Sequence, residues 1–147
     1  MTTSNLRVRP LDELDLEAIG DIDERISGLY RPDYWERRVG YYLRRDPDAS
    51  LVAELDGRVV GFMFGEVRSG EFGLDEATGW IEVLGVDPDC RGRDVGRSMA
   101  DRMCEHFRAR GAVAVRTFVD DERDDLGGFF SALGFEPASL RPYVRSL

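Results

Sequence analysis

Apolar residues recur at alternate positions in parts of the chain and at every third or fourth position in others, which separates predicted strands from predicted helices. Residues 6–10 predict a short strand that ends at a proline. Residues 11–26 predict one helix, and residues 31–45 predict a second that restarts after Pro32. The second helix has an apolar face, made of Trp35, Val39, Tyr42 and Leu43. Its arginines are predicted to be solvated: Arg37, Arg38, Arg44 and Arg45.

A β-hairpin is the clearest local feature of the sequence. In LVAELDGRVVGFMFGEV, two strand-like runs flank Asp56-Gly57, a dipeptide suited to the positive φ angles of a tight hairpin turn. WIEVLGV, over residues 80–86, predicts a further strand after a polar loop. From Val95 an apolar stripe at helical spacing predicts a helix that ends at Gly111.

The remaining pattern completes a mixed α/β fold. It predicts a strand over residues 112–119, a short helix ending at Gly134, and a last strand within residues 138–147. The order β-α-α-β-β-β-α-β-α-β predicts a mostly antiparallel sheet with helices on both faces. The strand-helix-strand unit from Trp80 to Val119 predicts one parallel strand pair. At 147 residues with no Pro/Ser-rich linker, the chain is expected to form a single domain over residues 1–147.

Composition and net charge limit the classes of partner that the chain is expected to bind. The formal net charge of −9 argues against nucleic acid and anionic membranes, which would be repelled, and an acidic surface could attract a cationic amine. No apolar run approaches the roughly 20 residues of a membrane span, and MTTSNLRVRP lacks a signal-peptide core. A cytoplasmic setting is therefore expected. One histidine, His106, and two separated cysteines, Cys90 and Cys104, predict no metal site.

CRGRDVGRSM, Cys90–Met99, lies where a strand gives way to a helix, a usual ligand position in such folds. A helix N-terminus exposes unpaired N–H groups and a partial positive charge, so it can bind phosphate without a metal. Three arginines at that end oppose the helix dipole, which points to an anionic partner. The negative charge of Asp94 would disfavour that anion, unless the side chain caps the helix instead.

The longer run VLGVDPDCRGRDVGRSMADRM resembles the acetyl-CoA-binding motif of the GNAT superfamily of N-acetyltransferases. In that family a strand leads through a turn into Arg/Gln-x-x-Gly-x-Gly/Ala and a helix. Here Arg91 takes the first position, Gly96 the last, and Asp94 the place of a usual glycine. VAELDGRVVGFMFGEV resembles the second and third strands of the family and FFSALGF its final helix, so the likeness spans nearly all 147 residues.

The resemblance implies acetyl-CoA as cosubstrate, no metal, and a set of cofactor contacts. Leu84, Gly85 and Val86 would offer backbone groups to the pantetheine arm and the acetyl carbonyl. The pyrophosphate would lie against the turn and the helix start: Arg91, Gly92, Arg93, Asp94, Val95, Gly96, Arg97 and Ser98. The family also implies a β-bulge that splays this strand from its parallel neighbour, and Gly85 would suit that distortion.

Glu82 is the candidate general base. It lies nine residues before Arg91, a spacing similar to that of diamine and polyamine acetyltransferases, where a glutamate approaches the acceptor amine. Strand alternation predicts that it shares a face with Trp80 and Leu84. The alternative is a glutamate in an ion pair or on a solvated strand face.

The general acid of the family has no counterpart at its usual place. Many members have a tyrosine four residues before the glycine of Gly-Phe, and an asparagine seven residues before that tyrosine. Those positions hold Phe130 and Arg123 here. The thiolate would then leave unprotonated, or water or a tyrosine from elsewhere would protonate it, with Tyr143 as one candidate.

The acceptor is left open by the sequence. Tyr30 and Tyr34, in the region that borders the acceptor site in the family, could receive an amine, together with Glu82. The resemblance implies acetyl transfer to a primary amine of a small molecule or peptide. A non-catalytic acyl-CoA-binding module and a cofactor-free interaction protein are the alternatives. A homodimer is compatible with the resemblance, since dimers are common in the family.

Overall fold

Nine regular elements follow one another in the computed structural model, which describes residues 5–147. The strands are β1 (Leu6–Pro10), β2 (Leu51–Leu55), β3 (Arg58–Arg68), β4 (Thr78–Val86) and β5 (Ala114–Thr117). The helices are α1 (Leu16–Ser27), α2 (Pro32–Arg45), α3 (Val95–Ala109) and α4 (Asp124–Ala132). The order agrees with the predicted one up to α4.

The predicted hairpin turn and the predicted buried face of α2 are confirmed, whereas the first helix starts later than predicted. Asp56 and Gly57 both have positive φ angles, 52° and 83°, as the predicted hairpin turn requires. The apolar face of α2 is buried at Trp35, Val39 and Tyr42. The predicted first helix begins later than expected, at Leu16, because Asp12 caps a separate 3-10 turn over Glu13–Asp15.

The predicted last strand was wrong. After α4 the chain forms no regular element over residues 135–147. Two prolines, Pro137 and Pro142, remove backbone donors that a strand would need. The apolar side chains of Tyr143 and Val144 are exposed rather than alternately buried.

The sheet is mostly antiparallel, with strand order β1-β2-β3-β4-β5 and one parallel pair, β4 with β5. The parallel pairing joins Thr78–Ile81 to Ala114–Thr117 and ends there. Residues 82–86 continue β4 alongside β3 but without β5 on the other edge. The parallel pairing thus ends at Ile81 and Thr117, where β5 itself ends, and the splay of the two strands stays a prediction.

Helices pack on both faces of this sheet. Phe62 and Phe64 of β3 join the apolar cluster formed by α1 and α2. On the opposite face, a Cβ atom at Gly61 would lie within 3.0 Å of Val95 and Met99 of α3, so the glycine permits close helix-sheet contact. The predicted fold class is confirmed.

The chain divides into two compact units between Thr117 and Phe118. The first contains the sheet and helices α1 to α3. In the second, Phe130 of α4 packs edge-on against Phe129 and Phe135 at ring distances of 5.0 and 5.1 Å. Within residues 5–147, no helix combines the length and apolar character needed to cross a membrane.

Candidate active site

The turn between β4 and α3 contains two residues in the left-handed backbone region. Gly92 has a φ of 80° and Asp94 a φ of 61°. The side chain of Asp94 makes no capping hydrogen bond, so the helix cap considered for it is not formed. The left-handed conformation explains why glycine is usual at this position, and aspartate is among the few other residues that adopt it readily.

The start of α3 has the composition of an anion site. The amides of Val95 and Gly96 lie in the first helical turn, where no carbonyl within the helix can accept from them. Arg91 and Arg93 are exposed, and within residues 5–147 neither guanidinium pairs with a carboxylate. These residues fit a pyrophosphate group by charge and by donor supply. The amide of Ser98 donates to the carbonyl of Asp94 at 2.9 Å, so Ser98 has only its hydroxyl for such a role.

A buried aspartate that sequence reasoning missed anchors this turn. The carboxylate of Asp87 is fully buried, with Oδ2 at 2.9 Å from Arg25 of α1 and 3.3 Å from Arg58 of β3. Its Oδ1 accepts from the amide of Asp89 at 3.0 Å. Two ion pairs and a hydrogen bond thus fix where β4 ends. The D-P-D sequence is a turn signal that could have pointed to this residue.

The three strand residues assigned to cofactor contact lie in the second half of β4. Leu84, Gly85 and Val86 pair with β3 along one edge, and they lie beyond the last β4 residue that pairs with β5, Ile81. Gly85 is not the distorted residue. A Cβ atom there would lie 2.5 Å from the ring of Phe62, so glycine is needed for packing.

The β-bulge lies at Glu82 instead. Phe64 and Gly65 are consecutive on β3, but they pair with Val83 and Ile81, so Glu82 is the extra residue on β4. Glu82 faces α2, as Trp80 does, and the bulge brings the next residue, Val83, to the same face. Leu84 thus becomes the partner of Met63 on the other face. The predicted shared face of Glu82 and Trp80 is confirmed, but that of Glu82 and Leu84 was wrong, because the extra residue breaks the alternation after Glu82.

Two side chains hold the carboxylate of Glu82, which is 27% exposed. The hydroxyl of Tyr42 donates to Oε1 at 3.0 Å, and Nη2 of Arg68 donates to Oε2 at 2.6 Å. Burial, and then the negative charge of Glu82, raise the pKa of Tyr42. Burial by itself would lower the pKa of Arg68, but hydrogen bonding and charge from Glu82 and Glu66 outweigh it and raise the pKa.

A second carboxylate, also missed by sequence reasoning, lies beside Glu82. Glu66 of β3 is buried, and its Oε1 is 3.1 Å from Arg68 and 3.6 Å from Arg45. The predicted solvated face of α2 was therefore only partly right. Arg37, Arg44 and Arg45 are exposed, although Arg45 also pairs with Glu66, and only Arg38 is half-buried. Alternation along β3 gave no hint of a buried glutamate.

The two aromatic acceptor candidates differ in their surroundings. Tyr30 is 62% exposed. Tyr34 is half-buried, with the guanidinium of Arg31 4.5 Å from its ring centre, so one cation already covers that ring. Trp35 is buried and donates its indole N–H to Asp23 at 2.8 Å, consistent with a core role.

The second unit contains the positions where the family places its acid. Phe130 is buried and has no group that can transfer a proton. Arg123 pairs with Asp125 at 2.9 Å, which lowers the pKa of Asp125 to about 2. Tyr143 is 91% exposed. Among residues 5–147 no group of three potential metal ligands comes together.

Comparisons with known proteins agree with this arrangement. The model of the acetyltransferase (GNAT) family matches residues 16–135. An acetyltransferase of Pectobacterium atrosepticum is 32% identical over 134 residues, covering 89% of this chain and 88% of its own. The structure of aminoglycoside N-acetyltransferase AAC(6')-Iy with CoA superposes with a TM-score of 0.85 at 20% identity, covering 99% of this chain and 97% of the other. Ard1 of Thermoplasma volcanium superposes with a TM-score of 0.77 at 22% identity, covering 91% and 84%.

Proposed function

The chain belongs to the GNAT family of acetyltransferases, and from that premise we propose that it moves an acetyl group from acetyl-CoA directly to a primary amine in a ternary complex. The single observation that carries the proposal is the arrangement along β4. Glu82 projects from a bulge directly after the last β4 residue that pairs with β5, and the proposed anion site at the start of α3 follows the end of the same strand.

Acetyl-CoA fits the residues that follow this bulge along β4 and into the start of α3. Arg91 and Arg93, with the amides of Val95 and Gly96, supply cations and donors for the pyrophosphate. Residues 84–86 supply backbone groups for the pantetheine arm. The AAC(6')-Iy structure that superposes on the chain contains CoA, which supports the same cosubstrate here. The family match over residues 16–135 supports one acyltransferase domain over residues 1–147.

The chemistry requires a neutral amine and a leaving thiolate. The amine nitrogen attacks the thioester carbonyl carbon, the new C–N bond forms, the C–S bond breaks, and the amine loses a proton. Glu82 is the residue placed to take that proton, directly or through water. Its two partners keep the carboxylate in one orientation, which favours a defined position for the amine.

No residue is needed to protonate the thiolate. Free thiols have a pKa of about 8.5, so a thiolate is a tolerable leaving group near neutral pH. Tyr42 does not supply the acid, because its raised pKa makes it a poor proton donor. The exposed hydroxyl of Tyr143 makes it a weak candidate as well, and solvent water can protonate CoA after transfer.

The acceptor is proposed to be an amine of a small molecule or peptide. A second AAC(6')-Iy structure, in complex with a bisubstrate analogue of CoA and acetylneamine, supports a small-molecule amine, although at 20% identity the likeness concerns the fold. Thiol release from acetyl-CoA, followed with a chromogenic disulfide against a panel of amines, tests the proposal. Turnover on at least one amine is expected.

Calorimetry separates cosubstrate binding from catalysis. Arg93→Gln is expected to weaken CoA binding several-fold, whereas Arg108→Gln, exposed near the far end of the same helix, is expected to leave it unchanged. CoA binding without turnover on any amine would overturn the proposed reaction in favour of a non-catalytic acyl-CoA-binding module. Absence of CoA binding would overturn both.

A further inference from the structure

Five arginines among residues 5–147 are half-buried, and two of them have no carboxylate partner. The five are Arg9, Arg31, Arg38, Arg68 and Arg116. Three form ion pairs at 2.6 to 2.9 Å: Arg9 with Asp15, Arg31 with Asp23, and Arg68 with Glu82. Within the described part of the chain, Arg38 and Arg116 lie within 4.0 Å of no carboxylate oxygen.

Arg38 lies next to the candidate base. Its Nη2 is 3.3 Å from the hydroxyl of Tyr42, and that hydroxyl donates to Glu82 at 3.0 Å. The guanidinium carbon is 5.5 Å from the ring centre of Tyr42 and 5.8 Å from that of Tyr34. The Nε atom of Arg38 is buried and has no hydrogen-bond acceptor. Arg38, a cation with no paired anion, is thus linked to Glu82 through the hydroxyl of Tyr42.

Arg116 lies on the same face of the sheet, on the other side of β4. In the parallel pairing of β4 with β5, Arg116 lies opposite Trp80. Trp80 in turn lies opposite Glu66 in the pairing of β4 with β3. Directly paired residues share a face of a sheet. Glu66 contacts Arg45 of α2, so this is the face on which Arg38 also lies. The Nε atom of Arg116 is buried and lacks an acceptor as well.

Burying part of a guanidinium without an anion is costly, because the lost hydration is not replaced by an ion pair. The hydroxyl of Tyr42 and the two tyrosine rings offset only part of this cost for Arg38. The two carboxylates of this face do not remedy it, since Glu66 pairs with Arg45 and Arg68, and Glu82 pairs with Arg68. Four guanidinium groups therefore accompany two carboxylates here, in a chain of net charge −9. The local charge is opposite to that of the whole protein.

We propose that Arg38 and Arg116 bind an anionic group of the acceptor, so that the substrates are amines that also carry a carboxylate or a phosphate. The inference rests on the proposed acetyl transfer and specifies its acceptor. A guanidinium binds either anion through parallel N–H···O bonds, so the two anions share one chemistry. With Glu82 beside the amine, the two arginines orient the acceptor by its other end. Polyamines, which the overall charge would attract, are disfavoured by this local cationic surface.

Matched amines test the proposal. The panel consists of 4-aminobutyrate, phosphoethanolamine, butylamine and 1,4-diaminobutane, each assayed for kcat/KM with acetyl-CoA. At least one anionic amine is expected to exceed butylamine by about tenfold or more. A preference for 4-aminobutyrate indicates a carboxylate as the bound anion, and a preference for phosphoethanolamine indicates a phosphate. In Arg38→Gln and Arg116→Gln that ratio is expected to fall towards one, because KM for the anionic amine rises more than KM for butylamine.

Arg37→Gln is the matched control. Arg37 is the sequence neighbour of Arg38, is exposed, and forms no ion pair within residues 5–147, so its loss is expected to leave the ratio unchanged. Arg38→Lys retains the charge without the planar fork and is expected to keep part of the preference. Thermal unfolding of each variant shows whether a lost preference reflects a lost fold.

The outcomes separate this inference from the proposed function. Turnover on amines with no preference for an anion, or a preference that survives in both Arg38→Gln and Arg116→Gln, overturns the inference and leaves acetyl transfer standing. If no amine turns over, the anion site is still tested by calorimetry in the presence of CoA. The compounds are N-acetyl-4-aminobutyrate, N-acetylphosphoethanolamine and N-acetylbutylamine. Selective binding of an anionic compound that depends on Arg38 supports the anion site, and equal or absent binding of all three overturns it.

Discussion

The hydroxyl of Tyr42 on α2 and the carboxylate of Glu82 on β4 form a hydrogen bond with 3.0 Å between Oη and Oε1. The two residues are 40 positions apart, and Glu82 faces α2 because it lies on the same side of β4 as Trp80, whose register partner is Glu66 of β3. Arg68 holds the other carboxylate oxygen at 2.6 Å. The candidate base is therefore fixed from two elements, and its position depends on the packing of α2 on the sheet.

Replacing Tyr42 with phenylalanine is expected to lower the free energy of unfolding near neutral pH by about 1–2 kcal/mol, because Glu82 loses a partly buried donor. The effect depends on pH. The folded state raises the pKa of Tyr42 above its unfolded value of about 10, through burial first and the charge of Glu82 second. Above that pH the unfolded chain releases a proton that the folded chain retains, so the stability contributed by Tyr42 decreases as pH rises.

Urea unfolding of the wild type and Tyr42→Phe at pH 8 and pH 11 measures this linkage. The difference between the two proteins should shrink at pH 11, by at most about 1.4 kcal/mol per pH unit above 10. Tyr30→Phe, which removes an exposed hydroxyl, should change the stability at pH 8 by less than about 0.5 kcal/mol. A difference between wild type and Tyr42→Phe that grows from pH 8 to pH 11 would contradict the argument.

Replacing Glu82 with glutamine is expected to reduce kcat/KM by about a hundredfold or more, because the amide cannot accept the amine proton. The pH profile should change too, with the rate of the variant continuing to rise over the range in which the wild-type rate is constant. Glutamine still accepts a hydrogen bond from Tyr42 but loses the ion pair with Arg68, so unfolding and CoA affinity must be measured beside activity.

Glu36→Gln provides the control for this change, since Glu36 is exposed on α2 and its loss should leave the rate as in the wild type. An unchanged pH profile in Glu82→Gln would remove Glu82 from the role of base, even if the rate were lower.

Features determined by neighbouring residues could be predicted from the sequence. The Asp56-Gly57 turn encodes its own backbone angles, and the apolar spacing of α2 encodes its buried face. The strand-to-helix passage before Val95 is likewise a local signal. These elements were enough to predict the fold and the turn into α3 at which the anion site is proposed.

Features that depend on distant residues could not be predicted in this way. The bulge at Glu82 arises from the register of β3 against β4, and strand alternation assumes that no such extra residue exists. The same holds for Arg38. Helical spacing assigns it to the solvated face of α2, but it becomes half-buried because the helix packs close to the sheet at Tyr42 and Glu82.

Gly85→Ala is expected to destabilise the protein by about 1–3 kcal/mol. The new methyl carbon would start 2.5 Å from the ring of Phe62, which is itself buried and packed against Trp35, so the ring has little room to move. CoA binding should weaken as well, because the shift falls on the strand segment assigned to the pantetheine arm.

Gly20→Ala is the matched control, because a Cβ atom at this position of α1 meets no heavy atom within 4 Å. It should stabilise the protein by about 0.5–1 kcal/mol, since alanine favours a helix interior over glycine. Thermal or urea unfolding of both variants tests the contrast. Equal stability of Gly85→Ala and wild type would show that Phe62 does not restrict this position.

Asp94 combines a backbone effect with a charge effect, and two substitutions separate them. The left-handed φ of 61° favours glycine over any residue with a Cβ atom, by about 1 kcal/mol for most side chains and less for aspartate. The carboxylate, which caps nothing, places a negative charge at the end of α3 assigned to the pyrophosphate. Asp94→Gly should therefore leave the free energy of unfolding unchanged or raise it slightly, and leave CoA affinity unchanged or increase it.

Asp94→Asn retains a side chain that tolerates this backbone and removes only the charge, so a rise in CoA affinity shared by both variants would be due to the charge. Calorimetry at low and high salt completes the test, because any gain from removing the charge should be largest at low ionic strength. A large loss of CoA affinity in Asp94→Gly would show instead that the carboxylate takes part in binding.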